Sequence, residues 1–463
     1  MLSRIKYLVR RQFFKAYYFL AIFKYFRSFK YFNFYREYLF IKEYIYKSII
    51  YNQSIQKIRL FNLLNFSINN IPYYRKIARE RNIKISKNTI FEDIKKFPIL
   101  TKDKIRKNWK FLHVNLRKIK FKIATSGGTT GEPIKIIQDS DFFAKTLAMH
   151  LVSDEMANYF IGEKIIMLWG DEKEIIKNTR GVLSSLITKY ARNIYFQNAF
   201  KMSDDIMLKY INEINQIKPK TIISYIQSIY ELAKFIERKK LKIFPLNSII
   251  TTAGVLTNEV KIFLENIFGC KIFNRYGSRE LFNLAMSCEV SQKLHINMYH
   301  QYIEILDDNE NIVKEHEEGN IIITNLVNYG MPIIRYKIGD RGSLDFSQCP
   351  CGRGLIRLDN VFGRVVDVFK NEKGDLIDGE YFTHLFYFRN NIKKFQVIQE
   401  KINEININIV TLNGNQLIKS VEDDILEKIK IVMGNNCKIN FNYVLSIDPS
   451  SSGKFRYTIS KVP

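Results

Sequence analysis

The stretch Lys220–Gly254, "KTIISYIQSIYELAKFIERKKLKIFPLNSIITTAG", decides the fold. It opens on a β-branched run, "KTIISY". An amphipathic helical pattern, "SIYELAKFIERKK", follows, and "LNSIITTAG" returns to strand chemistry. Strand, helix and strand in succession specify a mostly parallel sheet with helices on its faces, and such sheets bind ligands at the carboxyl ends of their strands. The neighbouring sequence keeps the rhythm. "EKIIMLWG" (163–170) and "CKIFNRYG" (270–277) read as further strands. "SDDIMLKYINEINQI" (203–217) and "TNEVKIFLENIFG" (257–269) read as amphipathic helices.

Further along the pattern changes. "YIEILDDNENIV", "GNIIITNL" and "IIRYKIGDRGSLDF" (302–346) read as antiparallel hairpins, and "QVIQEKINEININIVTL" to "KINFNYVLSI" (396–447) as a small α+β unit. A chain of 463 residues suits two or three domains. The expected architecture is α/β: a large N-terminal α/β domain over 71–362, β-rich from about 296, then a small mobile α+β lid over 363–463. Residues 1–70 form a basic, aromatic, helical arm.

At 46% hydrophobic residues the chain has apolar surface enough for sizeable cores, which excludes wholesale disorder. The formal charge of +26 usually points to nucleic acid or an anionic membrane. Lysine is spread along the whole chain with isoleucine and asparagine, so the surplus reads as compositional bias, and no nucleic-acid partner is expected. The N-terminus is the exception. Its aromatics alternate with Arg and Lys, and the first acidic residue is Glu37. No apolar run reaches the ~20 residues of a spanning helix, and no signal peptide is recognisable. Two readings stay open for residues 1–50: contact with an anionic bilayer surface, or a helical arm packed on the main domain. The expected location is cytoplasmic, peripheral at the inner membrane face in the first case.

The segment "IATSGGTTGEPIKI" (123–136) is glycine- and hydroxyl-rich between two β-branched runs. Such a loop can adopt positive φ and aim its N–H groups at a phosphate, with Ser126, Thr129 and Thr130 adding hydroxyls. It lacks the Walker spacing, and alone it could be only a tight turn. Downstream come "TTAGVLTNE" (251–259), "NRYGSREL" (274–281), "RYKIGD" (335–340), "FGRVVD" (362–367) and "SSSGKFR" (450–456). In that order and spacing the motifs resemble the adenylate-forming superfamily of acyl-CoA ligases. The wording is most similar to its phenylacetate–CoA ligase branch, including members named for capsular-polysaccharide loci (CapK-like). "NIPYYR", "FPILTKDKIR" and "CPCGRG" add to the likeness, which runs from about residue 70 to the C-terminus.

The resemblance implies activation of a small-molecule carboxylic acid by ATP and Mg²⁺, with CoA as the thiol co-substrate. Its roles map by motif. Ser126, Gly127, Gly128, Thr129, Thr130 and Gly131 would cradle phosphates. Gly254, Tyr276, Gly277 and Ser278 would line the nucleotide site, Glu280 would hold Mg²⁺, and Asp340 would accept the ribose hydroxyls. Arg364 would add a ribose or phosphate contact, and Lys454 would reach the α-phosphate and the carboxylate. One departure stands out: two places after Arg364, where the family has a charged residue at its hinge, this chain has Val366, with Asp367 next. Two other outcomes remain open: adenylation followed by transfer to a sugar amine or hydroxyl in surface-polysaccharide assembly, or a nucleotide-binding membrane scaffold without turnover. Separately, Cys288, His295, Cys349 and Cys351 make a Cys₃His set suited to structural zinc.

Overall fold

The computed structural model describes residues 30–125, 134–170, 193–199, 202–254, 256–362, 367–387, 389, 391–412, 414–447 and 457–462. Two helices lead in, α1 (Lys30–Tyr44) and α2 (Ile49–Asn70). A hairpin of β1 (Phe121–Thr125) and β2 (Lys135–Asp139) feeds directly into α3 (Ser140–Met156). The stretch that opened the sequence reading folds as β5 (Thr221–Tyr225), α5 (Ile226–Lys239) and β6 (Ser248–Thr252). On either side lie β3 (Ile165–Trp169), β4 (Ile194–Asn198), α4 (Asp204–Ile217), α6 (Asn258–Phe268) and β7 (Lys271–Ser278). Caps fix the helix ends: the Thr257 side chain accepts from Val260 N–H before α6, and Gly269 closes it at φ 62°.

These strands belong to one eleven-stranded sheet. From β7 outward on one side, β6, β5, β3 and β4 run parallel. On the other side β8 (Phe282–Met286), β9 (Leu294–Ile296), β13 (Arg357–Phe362), β12 (Tyr336–Asp345), β11 (Gly319–Asn325) and β10 (Gln301–Leu306) pair antiparallel. β7 is therefore the strand at which the sheet changes character. The antiparallel half does not lie flat. β12 is four places from β7, roughly 19 Å in a flat sheet at the usual strand spacing. Yet the Tyr276 hydroxyl on β7 reaches the Asp340 carboxylate on β12 at 2.7 Å. The sheet must curl until those two strands face each other. Bulges, in β12 against β11 and in β13 against β12, permit that bend.

The concave core takes Phe34, Ile41, Leu60 and Leu64 from α1 and α2 into the same cluster as Leu284, Ile296, Ile321 and Ile334. The inner faces of the N-terminal helices are thus part of the main core. A second cluster runs through the parallel strands and their helices and on into the C-terminal unit. That unit pairs β14 (Val368–Lys370) with β15 (Leu376–Asp378). It then stacks α7 (Gly379–Tyr387) and α8 (Lys419–Met433) with a four-stranded sheet of β16 (Ile392–Lys401), β17 (Glu404–Thr411), β18 (Lys438–Tyr443) and β19 (Thr458–Ser460). The architecture is the α/β plan with a small C-terminal α+β domain that the alternation indicated.

One buried ion pair ties the pieces together. Arg335, in left-handed backbone at φ 51°, donates from Nε to Glu304 Oε2 at 3.1 Å and places Nη2 3.1 Å from Oε1. Its Nη1 also donates to the carbonyls of Lys95 (3.0 Å) and Phe97 (2.8 Å), holding the "FPIL" segment against β12. Burial pushes the Glu304 carboxyl up, against the pull of Arg335. Removing one partner of such a pair strands the other in low dielectric. Arg335→Leu is expected to lower stability by about 3–5 kcal/mol. In chemical denaturation, Glu304→Leu combined with Arg335→Leu should recover part of that loss.

Candidate active site

β7 ends in "RYGS", and its side chains alternate across the sheet. Tyr276 faces β12 and donates to Asp340 Oδ2. The next residue cannot carry a side chain: a Cβ on Gly277 would lie 2.6 Å from the Phe282 carbonyl oxygen, at the point where the β7–β8 register shifts. Ser278 Oγ accepts from Leu281 N–H at 3.1 Å, so it closes the β7–β8 turn. Phe282 leaves the turn at φ 61°, an uncommon conformation for an aromatic residue.

That turn carries Glu280, which is buried at 6% exposure. Among the described residues its carboxylate takes one hydrogen bond, from the Tyr336 hydroxyl on β12 at 3.4 Å. An ionised carboxylate offers about four acceptor sites, so one long neutral bond leaves Glu280 open to a cation. Mg²⁺ suits such a place, since it is bound through one or two carboxylates and completes its shell with phosphate oxygens and water. Gln138 on β2 donates from Nε2 to the carbonyls of Arg279 and Glu280, each at 3.2 Å. The strand that follows the glycine-rich loop is thereby bonded to the Glu280 turn. Thr125 and Lys135, which flank that loop, stand opposite each other in the β1–β2 ladder.

β12 thus supplies two contacts from one face, Tyr336 to Glu280 and Asp340 to Tyr276. Asp340 is half-buried, with one carboxylate oxygen tied to Tyr276. Gly254 lies beyond the end of β6, after Ala253 at φ 56°. A Cβ on Gly254 would stand 2.1 Å from Ile226 Cγ2, so glycine lets the backbone lie against the start of α5. Tyr276, Gly277, Ser278, Glu280 and Asp340 are brought together. Ser126, Gly127, Gly128, Thr129, Thr130, Gly131, Arg364 and Lys454 lie outside the described residues. Gln138 and Tyr336 were not singled out in the sequence. Tyr336 sits inside the "RYKIGD" motif, but nothing in the local pattern says that its hydroxyl faces Glu280.

The second constellation also closes. Cys288, His295 on β9, Cys349 and Cys351 present ligand atoms that all lie within 4.8 Å of one another. Cys288 Sγ and Cys349 Sγ are 3.8 Å apart, and Cys351 Sγ lies 3.4 Å from His295 Nε2. Zinc–sulfur bonds of ~2.3 Å at the tetrahedral angle put sulfurs about 3.8 Å apart, so the set fits Zn²⁺. Three of the four residues are buried, as a structural site requires. Burial pushes the Cys288 thiol up to about 12. At Cys351 burial is outweighed by the hydrogen bonds from His295 and the Arg353 backbone, which bring it down to about 6.

Residues 369–461 match the family model of the CapK C-terminal domain. The protein CapK of Staphylococcus aureus is 24% identical over 417 residues, 88% of this chain and 89% of that one. The phenylacetate–coenzyme A ligase of Thermus thermophilus is 24% identical over 334 residues, 68% of this chain and 71% of the relative. The chain is thus similar to CapK over most of its length, and to the phenylacetate–CoA ligases over about two thirds of it. A crystal structure of 2-hydroxyisobutyryl-CoA ligase, with 2-HIB-AMP and CoA in the thioesterification state, shares the fold. Its TM-score is 0.57 at 17% identity, covering 90% of this chain and 91% of that one. The closed Cys₃His cluster shares no residue with the β7–β12 site. Elemental analysis of native protein is expected to find about one zinc per chain, and strong chelation to lower the melting temperature by several degrees. Metal-free protein of unchanged stability would remove zinc from the account.

Proposed function

We propose that this chain activates a carboxylic acid with ATP, releasing pyrophosphate, and passes the acyl group of the resulting acyl-adenylate to CoA. The observation that carries this reading is the pairing across β7 and β12, where Tyr276, Glu280 and Asp340 share one concavity beside the stem of the glycine-rich loop. In the first step a carboxylate oxygen bonds to the α-phosphorus and the bond to pyrophosphate breaks. In the second, the thiol sulfur bonds to the acyl carbon, AMP leaves, and the thiol proton passes to solvent.

Each residue answers to a need of that chemistry. Asp340, oriented by Tyr276, offers its other oxygen to ribose hydroxyls, as an acceptor-only group can. Glu280 would hold Mg²⁺, which spreads the charge that builds on the phosphates. The Gly127–Gly131 segment supplies N–H groups to those phosphates, and Arg364 a further cation. Gly277 and Gly254 keep the backbone close to the nucleotide. Lys454, on the small domain from residue 363 onward, acts as a point charge that enters for adenylation and withdraws as the domain moves as a lid. The Cys₃His set holds a structural zinc away from the reacting atoms. We place the reaction in the cytoplasm, where ATP and CoA are at hand.

A second reading keeps adenylation and changes the acceptor to a sugar amine or hydroxyl. It is favoured by the longer match to CapK and by Val366, which replaces the charged hinge residue associated with building the thiol site. Trapping acyl-adenylates as hydroxamates over a panel of acids tests the common step. Adding CoA or amino sugars in place of hydroxylamine then separates the two acceptors. Lys454→Ala should reduce trapping by 10² or more, as an order of magnitude for a lost transition-state contact, with ATP affinity nearly unchanged. Equal trapping by the variant would reject the role given to Lys454.

A further inference from the structure

The outer side of the α1–α2 elbow has no role in the site described above, yet its surface is unusual. α1 turns Phe34, Tyr38, Ile41 and Tyr44 into the core. The rest of α1, the turn after it and the first turn of α2 expose Tyr35 (43%), Leu39 (44%), Phe40 (37%), Tyr46 (56%), Ile50 (80%) and Tyr51 (41%). Six large apolar side chains within seventeen consecutive positions form a patch of the kind that marks an interaction surface. Arg36, Lys47 and Lys57 stand exposed or half-exposed in and beside this stretch, against one exposed acid, Glu43. Upstream the charge has one sign: positions 1–36 hold nine Lys or Arg and no Asp or Glu.

The elbow is held in shape by the Cys₃His loop. Gly354 N–H donates to the Ile45 carbonyl at 2.9 Å, and Asn52 Nδ2 donates to the Gly354 carbonyl at 2.6 Å. A Cβ on Gly354 would lie 1.9 Å from the Lys47 carbonyl oxygen, so "CPCGRG" meets the elbow backbone to backbone. The Arg353 guanidinium lies over the Tyr46 ring, 5.4 Å from its centre. These contacts keep the patch turned outward.

We propose that the α1–α2 elbow docks on an anionic lipid bilayer, with Leu39 and Ile50 entering the headgroup–acyl boundary and the flanking basic residues facing lipid phosphates. Charge selects this occupant. A second copy of the chain would bring the same basic rim against itself, whereas an anionic leaflet attracts it. Aromatic and aliphatic side chains with a Lys/Arg border suit the interfacial region, where aromatic rings and long cationic side chains are both favoured. Among the described residues no helix is long and apolar enough to cross a membrane, so the mode is lying on the surface. This inference is independent of the adenylation reading, because binding is measured without turnover.

The test is co-sedimentation of the full chain with vesicles of equal parts phosphatidylglycerol and phosphatidylcholine, beside vesicles of phosphatidylcholine alone. The account expects binding to the mixed vesicles at least about tenfold tighter, weakened by salt. Leu39→Glu with Ile50→Glu should weaken it by about tenfold or more while hydroxamate trapping stays at the wild-type level. Leu39→Ser with Ile50→Ser, which adds no charge, should also weaken it. Wild-type protein that ignores anionic vesicles would overturn the proposal, as would serine variants that bind like wild type. So would a solution dimer, seen by sedimentation velocity, that the same substitutions disperse.

Discussion

The Tyr276–Asp340 hydrogen bond is the constraint on which the site depends. It spans two strands separated by three others in the sheet order, so it can exist only in a sheet that has curled. A charge-assisted hydrogen bond contributes about twice what a neutral one does, about 1.5–3 kcal/mol, little beside the burial of a core of this size. The bond therefore reports the curl and does not cause it. The cause is packing: α1, α2 and the apolar strands of the antiparallel half share one core on the concave side. Once that core closes, Tyr336 and Asp340 come to face the end of β7, and Glu280 is brought under Tyr336.

Much of this was legible in the sequence, for identifiable reasons. The parallel half announced itself because β-branched strands alternate with amphipathic helices whose caps, such as Thr257 and Gly269, are local signals. The hairpins of the antiparallel half were readable too, but their place in the sheet was not. β9 and β13 are separated by about sixty residues in the chain and pair directly, which no local pattern encodes. The same limit applies to the site. Glu280 and Asp340 could be named from their motifs, whereas Gln138 and Tyr336 owe their positions to long-range pairing. The division at residue 70 illustrates a related point. A basic, aromatic composition describes the outward face of α1 and α2, while the inward face belongs to the core of the following domain.

The Cys₃His cluster links these observations. Cys288 follows β8, His295 lies on β9, and Cys349 and Cys351 precede β13, so the four ligands lie at the three successive strands between β7 and β12. Its loop also grips the α1–α2 elbow through Gly354 and Asn52. A metal there would cross-link the antiparallel half of the sheet to the helices packed against it, and so support the curl that brings Asp340 to Tyr276 and Tyr336 to Glu280. Stability of the site and presentation of the basic elbow are in this sense one mechanical problem.

The central claim is that this concavity forms an acyl-adenylate, and exchange of labelled pyrophosphate into ATP reads that step without reference to the acceptor. With magnesium and a suitable carboxylic acid, the account predicts acid-dependent exchange that falls at least about a hundredfold in Glu280→Gln. Exchange that is absent with every class of acid, or that persists undiminished in Glu280→Gln, would contradict it.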